Sequence, residues 1–404
     1  MSIFSKKPKR VYLDYAAAAP IRDEVKSILI ESLMLFGNPG TLHKDGVLAK
    51  QALEKSREIF ANAIFCRPKE IVFTSSATES NNLAVRGVWS KWQKNNPEKM
   101  AHIVATNIEH PSVLEMYKKF EKEKIAEVSY LSVDEDGLVD IKKLREVLRP
   151  ETILVSVIFA SNEIGTIQPI KEIAKEIRHF KKYVLENHES VYPLLHTDAS
   201  QTPIYEELDM RNLHVDLMTL SAEKIYGLHG VGALFVRSGT PIEKILEGGS
   251  QENNLRPGTE NIPSIAGFAE AMRLAVNERE VESARVKALQ DHSFKKLEEN
   301  FKEKFIVNGS REQRLPNNIN ITFKDFDSEL LVIELDAKGI SVSEKSACNT
   351  EDAAESYVID ALRSASQNKQ SLRISLGMHT KKEDIDYLIK CLQEIFSKYK
   401  NISK

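Results

Sequence analysis

The chain has 404 residues, more than one hydrophobic core usually supports, so two domains are expected. Its 56 Lys and Arg are interleaved with 59 Asp and Glu, and the resulting net charge of −3 argues against nucleic acid or an anionic membrane as a partner. The three cysteines, Cys66, Cys348 and Cys391, form an odd, sparse set that argues against a disulfide framework and points to a reducing compartment.

From the N-terminus, the basic run Lys6-Lys7-Pro8-Lys9-Arg10 has no apolar stretch of signal-peptide length behind it. No later run is long enough to span a bilayer, so a soluble cytoplasmic protein is expected. Residues 11–15 read as a strand that runs into a small-residue turn, Ala16-Ala17-Ala18-Ala19-Pro20. Residues 46–63 have helical periodicity, and 71–74 read as a buried strand followed by Ser75-Ser76-Ala77-Thr78-Glu79. Ser76 with Glu79 fits a capping box, so a helix should start there. Strand, short polar loop and helix N-terminus together present amides and hydroxyls to an anion, with Thr78 as the candidate phosphate ligand.

Further strands are expected at 102–107, 128–133 and 152–160, and the first of these is closed by Glu109-His110-Pro111. A helix is expected at 141–148, another at 170–182, and a surface loop at 186–190. Residues 194–198 form the next strand, with Ala199-Ser200-Gln201 at its tip. Such apolar runs, alternating with helices, indicate a parallel sheet buried on both faces. A helical pattern covers 265–301 and bridges to a second domain. Its core would use 319–323, 330–335, 372–376 and an amphipathic helix over 383–399.

One lysine stands out. Lys224 lies between the apolar run 215–220 and a glycine-punctuated turn that leads into the strand 232–236. An amine pinned at a strand end can form an imine with an aldehyde cofactor, of which pyridoxal phosphate is the common one. His110, Asn162, Asp198, Gln201 and Lys224 all fall at the C-terminal ends of strands, where open α/β sheets bind ligands. Asp198 fits the carboxylate that keeps a pyridine nitrogen protonated. Gln201 and Asn162 fit donors to the ring hydroxyl, and His110 fits a ring laid over the cofactor face.

The pieces Tyr12-Leu13-Asp14-Tyr15-Ala16-Ala17, Phe73 to Asn82, Glu109-His110-Pro111, Ser161 to Gly165, Thr197 to Gln201, Arg256 to Asn261, Ser346-Ala347-Cys348 and Arg373 to Gly377, together with the lysine segment, resemble those of the cysteine desulfurases. These are pyridoxal-phosphate enzymes of the class V aminotransferase group, and the resemblance runs from about Tyr12 to the C-terminal helix. It implies an α/β fold of the PLP-dependent transferase type I. The large domain (16–280) would hold a mainly parallel seven-stranded sheet, with a smaller α/β domain built from 1–15 and 281–404. It also implies a homodimer that converts L-cysteine to L-alanine and leaves the sulfur as a persulfide for an acceptor or scaffold protein of iron–sulfur cluster assembly.

Carried over by position, Lys224 would form the imine and Cys348 would accept the sulfur. Asp198 would pair with the ring nitrogen, Gln201 with the ring oxygen, and His110 would stack and shuttle protons. Ala77, Thr78 and Ser221 would hold the phosphate, with Thr259 reaching it from the other subunit. Asn162 and Arg373 would bind the substrate carboxylate, Arg373 through a bidentate fork. The spacing from Cys348 to Tyr357 resembles the long-loop group. Polar neighbours suit Cys348 to thiolate chemistry, whereas Cys66 and Cys391 read as structural.

The chain departs from the family pattern at Glu223, where histidine usually precedes the lysine, at Glu344-Lys345, and at Pro257. It also stops at Lys404, without the extended tail that resembles a scaffold-docking segment in some members. Glu223 would repel a phosphate unless it turns away, pairs with Lys345 or His229, or is protonated. A selenocysteine lyase or other class V enzyme, and a degenerate non-catalytic partner, remain open on sequence. A nicotinamide dehydrogenase is disfavoured, because no Gly-x-Gly-x-x-Gly follows the first strand.

Overall fold

The computed structural model describes residues 10–183, 191–324, 326–344, 356–362 and 370–400. Its centre is a seven-stranded sheet in the order Ile71–Thr74, Gly232–Val236, Leu217–Ser221, Leu194–Asp198, Thr152–Ser156, Ala101–Thr106, Ala126–Leu131. Gly232–Val236 runs opposite to the other six strands, which share one direction. Every residue of Leu217–Ser221 and of Leu194–Asp198 is buried, as expected of strands covered on both faces.

The helices Ala77–Asn95 and Pro111–Lys122 cover one face through Leu83, Val88, Trp92, Val113, Tyr117 and Phe120. The helices Lys44–Ala63, Ile170–Tyr183 and Ile262–Phe301 contribute Phe60, Ile173, Ile177 and Phe268 to the core on the other face. Phe60 meets Phe73 and Phe268 edge-on at 5.7 and 4.8 Å. Each such buried ring contributes roughly 1.5–3 kcal/mol. Phe73 sits one residue before the end of its strand, so this packing also fixes where the following loop begins.

The 40-residue helix Ile262–Phe301 starts at Asn261, whose side chain accepts from Ser264 N–H. It packs first on Asp23–Ser32 and Lys44–Ala63, then on the helix Lys382–Lys400. Beyond it lies a three-stranded antiparallel sheet, Leu372–Ser375, Asn318–Phe323, Phe305–Val307. Val11–Tyr12 pairs in parallel with Ile340–Ser341 near this sheet. Among the described residues no helix is long and apolar enough to cross a membrane.

Several expectations are corrected. The strand expected over 11–15 is regular only at Val11–Tyr12, and that over 152–160 ends at Ser156. Residues 330–335 belong to the helix Ser328–Ala337 and bury only Leu331 and Leu335 of that stretch. The helices Asp23–Ser32 and Pro111–Lys122 were not expected at all. The loop expected at 186–190 lies outside the described residues.

Candidate functional site

The carboxyl ends of the parallel strands open into a cavity of about 210 Å³. It is lined by Ala77, Thr78, His110, Asn162, Asp198, Gln201, Ser221, Lys224 and Arg373, all expected from the sequence, and also by Ala16, Ala17, Ser200 and Glu223. Two expected residues are not among these. Thr259 is exposed on the surface, and Cys348 lies outside the described residues.

Gly232 brings the anion-binding pieces together. It pairs with Thr74 on one side and Ser221 on the other. A Cβ there would meet Ser76 C and O and Ala77 N at 2.5–2.8 Å, so only glycine lets the loop pack this closely. Ser76 caps the helix Ala77–Asn95 by accepting from Glu79 N–H at 3.1 Å. The reciprocal half of the box is displaced by one residue, because Glu79 accepts from Ser75 N–H rather than from Ser76. Glu79 also takes Arg256 Nε at 3.0 Å. Burial pushes the Glu79 carboxyl up, but Arg256 and Ser75 outweigh it and hold the group below the usual range.

Lys224 closes a short 3-10 turn, Ala222–Lys224, that follows its strand. Ile225 N–H and Gly227 N–H both donate to Ala222 O, at 3.0 and 2.8 Å. The backbone then passes through Tyr226 at φ +65°, a left-handed conformation costly for a non-glycine residue. Burial of the Tyr226 ring and donation from Met378 N–H to its hydroxyl at 2.9 Å hold it there. The Lys224 amine donates to Ala17 O and lies 3.2 Å from Glu223 Oε1. Glu223 Oε2 is 2.8 Å from His229 Nδ1. Burial raises the Glu223 carboxyl, yet Lys224 and His229 bring it below its ordinary value. Glu223 therefore neither turns away nor needs a proton; it is paired, with Lys224 and His229. Lys345, the other partner considered, lies outside the described residues.

Asp198 is held by three donors. Asn81 Nδ2 reaches one oxygen at 2.8 Å, and Ser200 N–H and hydroxyl reach the other at 3.0 and 2.6 Å. Gln201 Nε2 donates to Ala16 O at 3.0 Å. Arg373, 1% exposed, gives one nitrogen to Asn162 O at 3.0 Å and another to Asp14 at 2.9 Å, while its Nε has no partner among the described residues. Beneath His110, the buried Glu109 accepts from Thr106 and from Ile158 N–H. Burial pushes its carboxyl up to about 7.

Asp14, Asn81, Ser200 and Glu109 support the site although the sequence does not single them out. Asp14 and Asn81 stood within quoted motifs, but nothing local shows that they bond residues more than a hundred positions away. The arrangement offers an amine, an opposed carboxylate, a cradle of amides and hydroxyls, and a buried guanidinium around one cavity. This donor set fits a cofactor bearing an aldehyde, a basic ring nitrogen and a phosphate.

The family model described as aminotransferase class-V matches residues 11–388. A cysteine desulfurase IscS of Dictyoglomus turgidum is 40% identical over 397 residues, covering 98% of this chain and 96% of that protein. One from Methanosarcina thermophila is 38% identical, covering 99% and 95%. Among solved structures, a NifS-like protein superposes with a TM-score of 0.86 at 32% identity, covering 96% and 100%. A structure of SspA in complex with cysteine gives a TM-score of 0.76 at 30% identity, covering 91% and 99%.

Proposed function

The chain belongs to the class-V aminotransferase family, and on that premise we propose that it is a pyridoxal-phosphate-dependent cysteine desulfurase. It converts L-cysteine to L-alanine and passes the sulfur, as a persulfide on Cys348, to an acceptor protein of iron–sulfur cluster or thio-cofactor synthesis. The observation that carries this reading is the Lys224 amine facing the same cavity as the Asp198 carboxylate and the Arg373 guanidinium.

When bound, pyridoxal phosphate supplies a sink for the electrons released at the substrate Cα. Lys224 anchors it and moves the Cα proton. Asp198, held by its three donors, keeps the ring nitrogen protonated, and Gln201 orients the ring oxygen. Ala77, Thr78 and Ser221 hold the phosphate. Arg373 takes the substrate carboxylate beside Asn162, with Asp14 fixing the guanidinium in place. Cys348 would attack the substrate sulfur as a thiolate, so that the new S–S bond forms as the substrate Cβ–S bond breaks and its electron pair stays with the carbon that is protonated to alanine.

The active unit in this reading is a homodimer. Thr259 is exposed rather than turned into its own cavity, which suits a hydroxyl delivered to a partner's phosphate. Ile30, Leu33, Met34, Phe36 and Leu42 form an exposed apolar stretch, with Phe36 84% and Leu42 97% exposed, and a second copy would cover it. The division into 16–280 and 1–15 plus 281–404 is supported by the separation of the seven-stranded from the three-stranded sheet and by the pairing of Val11–Tyr12 with Ile340–Ser341. Thiolate chemistry and sparse cysteines suit a reducing compartment, and we assign the protein to the cytoplasm.

The test is turnover of L-cysteine by the cofactor-loaded protein in the presence of a thiol reductant. Equal amounts of alanine and sulfide are expected. Absence of alanine from L-cysteine, with release from selenocysteine alone, would replace this reading with a selenocysteine lyase.

A further inference from the structure

Two residues that the proposed reading does not use connect Asp198 to His110. Asn81 Nδ2 lies 2.8 Å from Asp198 Oδ2 and 2.8 Å from Ser112 Oγ. Ser112 Oγ lies 2.8 Å from His110 Nδ1, and Ser112 N–H points to the same nitrogen at 3.1 Å. Counting donors and acceptors places every hydrogen along this path. A carboxylate only accepts, so the end of the fully buried Asn81 amide that faces Asp198 is its NH2 group. The second hydrogen of that NH2 goes to Ser112 Oγ. The Ser112 hydroxyl therefore accepts from Asn81 and has its own hydrogen to give to Nδ1. A backbone N–H can only donate, so two donors converge on Nδ1, and that nitrogen must present its lone pair. In a neutral imidazole the proton then sits on Nε2.

We propose that Asn81 and Ser112 are positioning residues that hold His110 as the Nε2–H tautomer, making it a fixed hydrogen-bond donor at the cavity rather than a proton shuttle. A shuttle working through Nε2 would need a lone pair there, which this tautomer lacks. Giving up the Nε2 proton would leave an imidazolate. Taking a proton on Nδ1 would break the bond from Ser112 N–H and reverse the one from its hydroxyl. Proton traffic at the cavity then falls to Lys224. Asp198 cannot rotate to release Asn81, because Ser200 holds its other oxygen twice. Only the meaning of the donated hydrogen bond rests on the desulfurase reading; the tautomer follows from the bonds themselves.

The direct test is nuclear magnetic resonance of the cofactor-free protein with nitrogen-labelled histidine, near pH 8. His110 is expected to carry its proton on Nε2; a proton found on Nδ1 would overturn the proposal without any variant having to fold. In the loaded enzyme, His110→Gln keeps a donor that cannot shuttle, and His110→Phe keeps a ring without a donor. The glutamine variant should turn over faster by about fivefold to tenfold, the range of one lost hydrogen bond. Equal, near-complete loss in both would show a shuttle and refute the idea. Ser112→Ala should lower kcat about fivefold with little change in KM, and Ser112→Thr should restore it. Unchanged kcat in Ser112→Ala, which keeps the backbone N–H donor, would remove the Ser112 hydroxyl from the account. Failure of the cofactor to attach to Lys224 would sink the desulfurase reading while leaving the tautomer result to be judged separately.

Discussion

Replacing Glu223 by histidine should tighten cofactor retention. The Glu223 carboxylate lines the cavity beside Ala77, Thr78 and Ser221, the proposed phosphate ligands. A carboxylate about 5 Å from a phosphate repels it by roughly 3 kcal/mol per unit charge at an effective dielectric near 20. The Lys224 amine, 3.2 Å away, is taken up when it forms the imine, so in the loaded protein His229 Nδ1 at 2.8 Å is the contact left to temper that charge. If that contact offsets half, about 1.5 kcal/mol remains, close to tenfold in Kd. The assay follows visible cofactor absorbance during dialysis of wild type, Glu223→His and Glu223→Gln at low ionic strength. Loss should be about tenfold slower in both variants, and added salt should narrow the gap, because Glu223 is partly exposed. Equal or faster loss in both variants would show that this carboxylate does not act on the phosphate.

Other expectations follow from the same site. Lys224→Ala should keep its far-ultraviolet circular dichroism yet form no borohydride-fixed adduct; an adduct mapped to another lysine would refute the anchor. Cys348→Ser should still bind the cofactor and L-cysteine but release no sulfide under reducing conditions, and sulfide near the wild-type rate would place the acceptor elsewhere. Glu109, which burial raises from 4.5 to about 7, retains a proton in the folded state that the unfolded chain releases earlier. Its contribution to stability therefore falls as pH rises from about 4.5 to 7. Glu109→Gln lacks that proton, so its stability relative to wild type should climb by up to about 3 kcal/mol between pH 4.5 and 8. Parallel urea-unfolding curves across that range would contradict this. Sedimentation of the active protein should show a two-fold dimer, and a fully active monomer would remove the role given to Thr259.

The sheet and most of the cavity are legible in the sequence because buried strands leave a local mark. The run 217–221 is apolar or small throughout, 194–198 is so apart from His196, and each ends on a polar residue that the parallel arrangement carries to one edge. The helix Pro111–Lys122 went unread because His110-Pro111 looks like the close of a strand. Its marks were a proline in the first turn, the His110 side chain as cap, and buried Val113, Leu114, Met116, Tyr117 and Phe120 at helical spacing. The stretch 330–335 misled for the opposite reason, since its apolar residues exceed what the helix buries. Partners such as Asp14 for Arg373 and Asn81 for Asp198 are separated by 359 and 117 positions, so only the folded chain joins them. The pairing of Glu223 with Lys224 likewise depends on the turn that follows the strand, whose left-handed Tyr226 no local pattern announces.

A single measurement bears most directly on the central claim. The cofactor-loaded protein is given one equivalent of L-cysteine without reductant, and alanine and protein-bound sulfur are then quantified and mapped by mass spectrometry. One alanine per active site, with the extra sulfur on Cys348, is the predicted result. Alanine with the sulfur on Cys66 or Cys391, or no alanine at all, would contradict it.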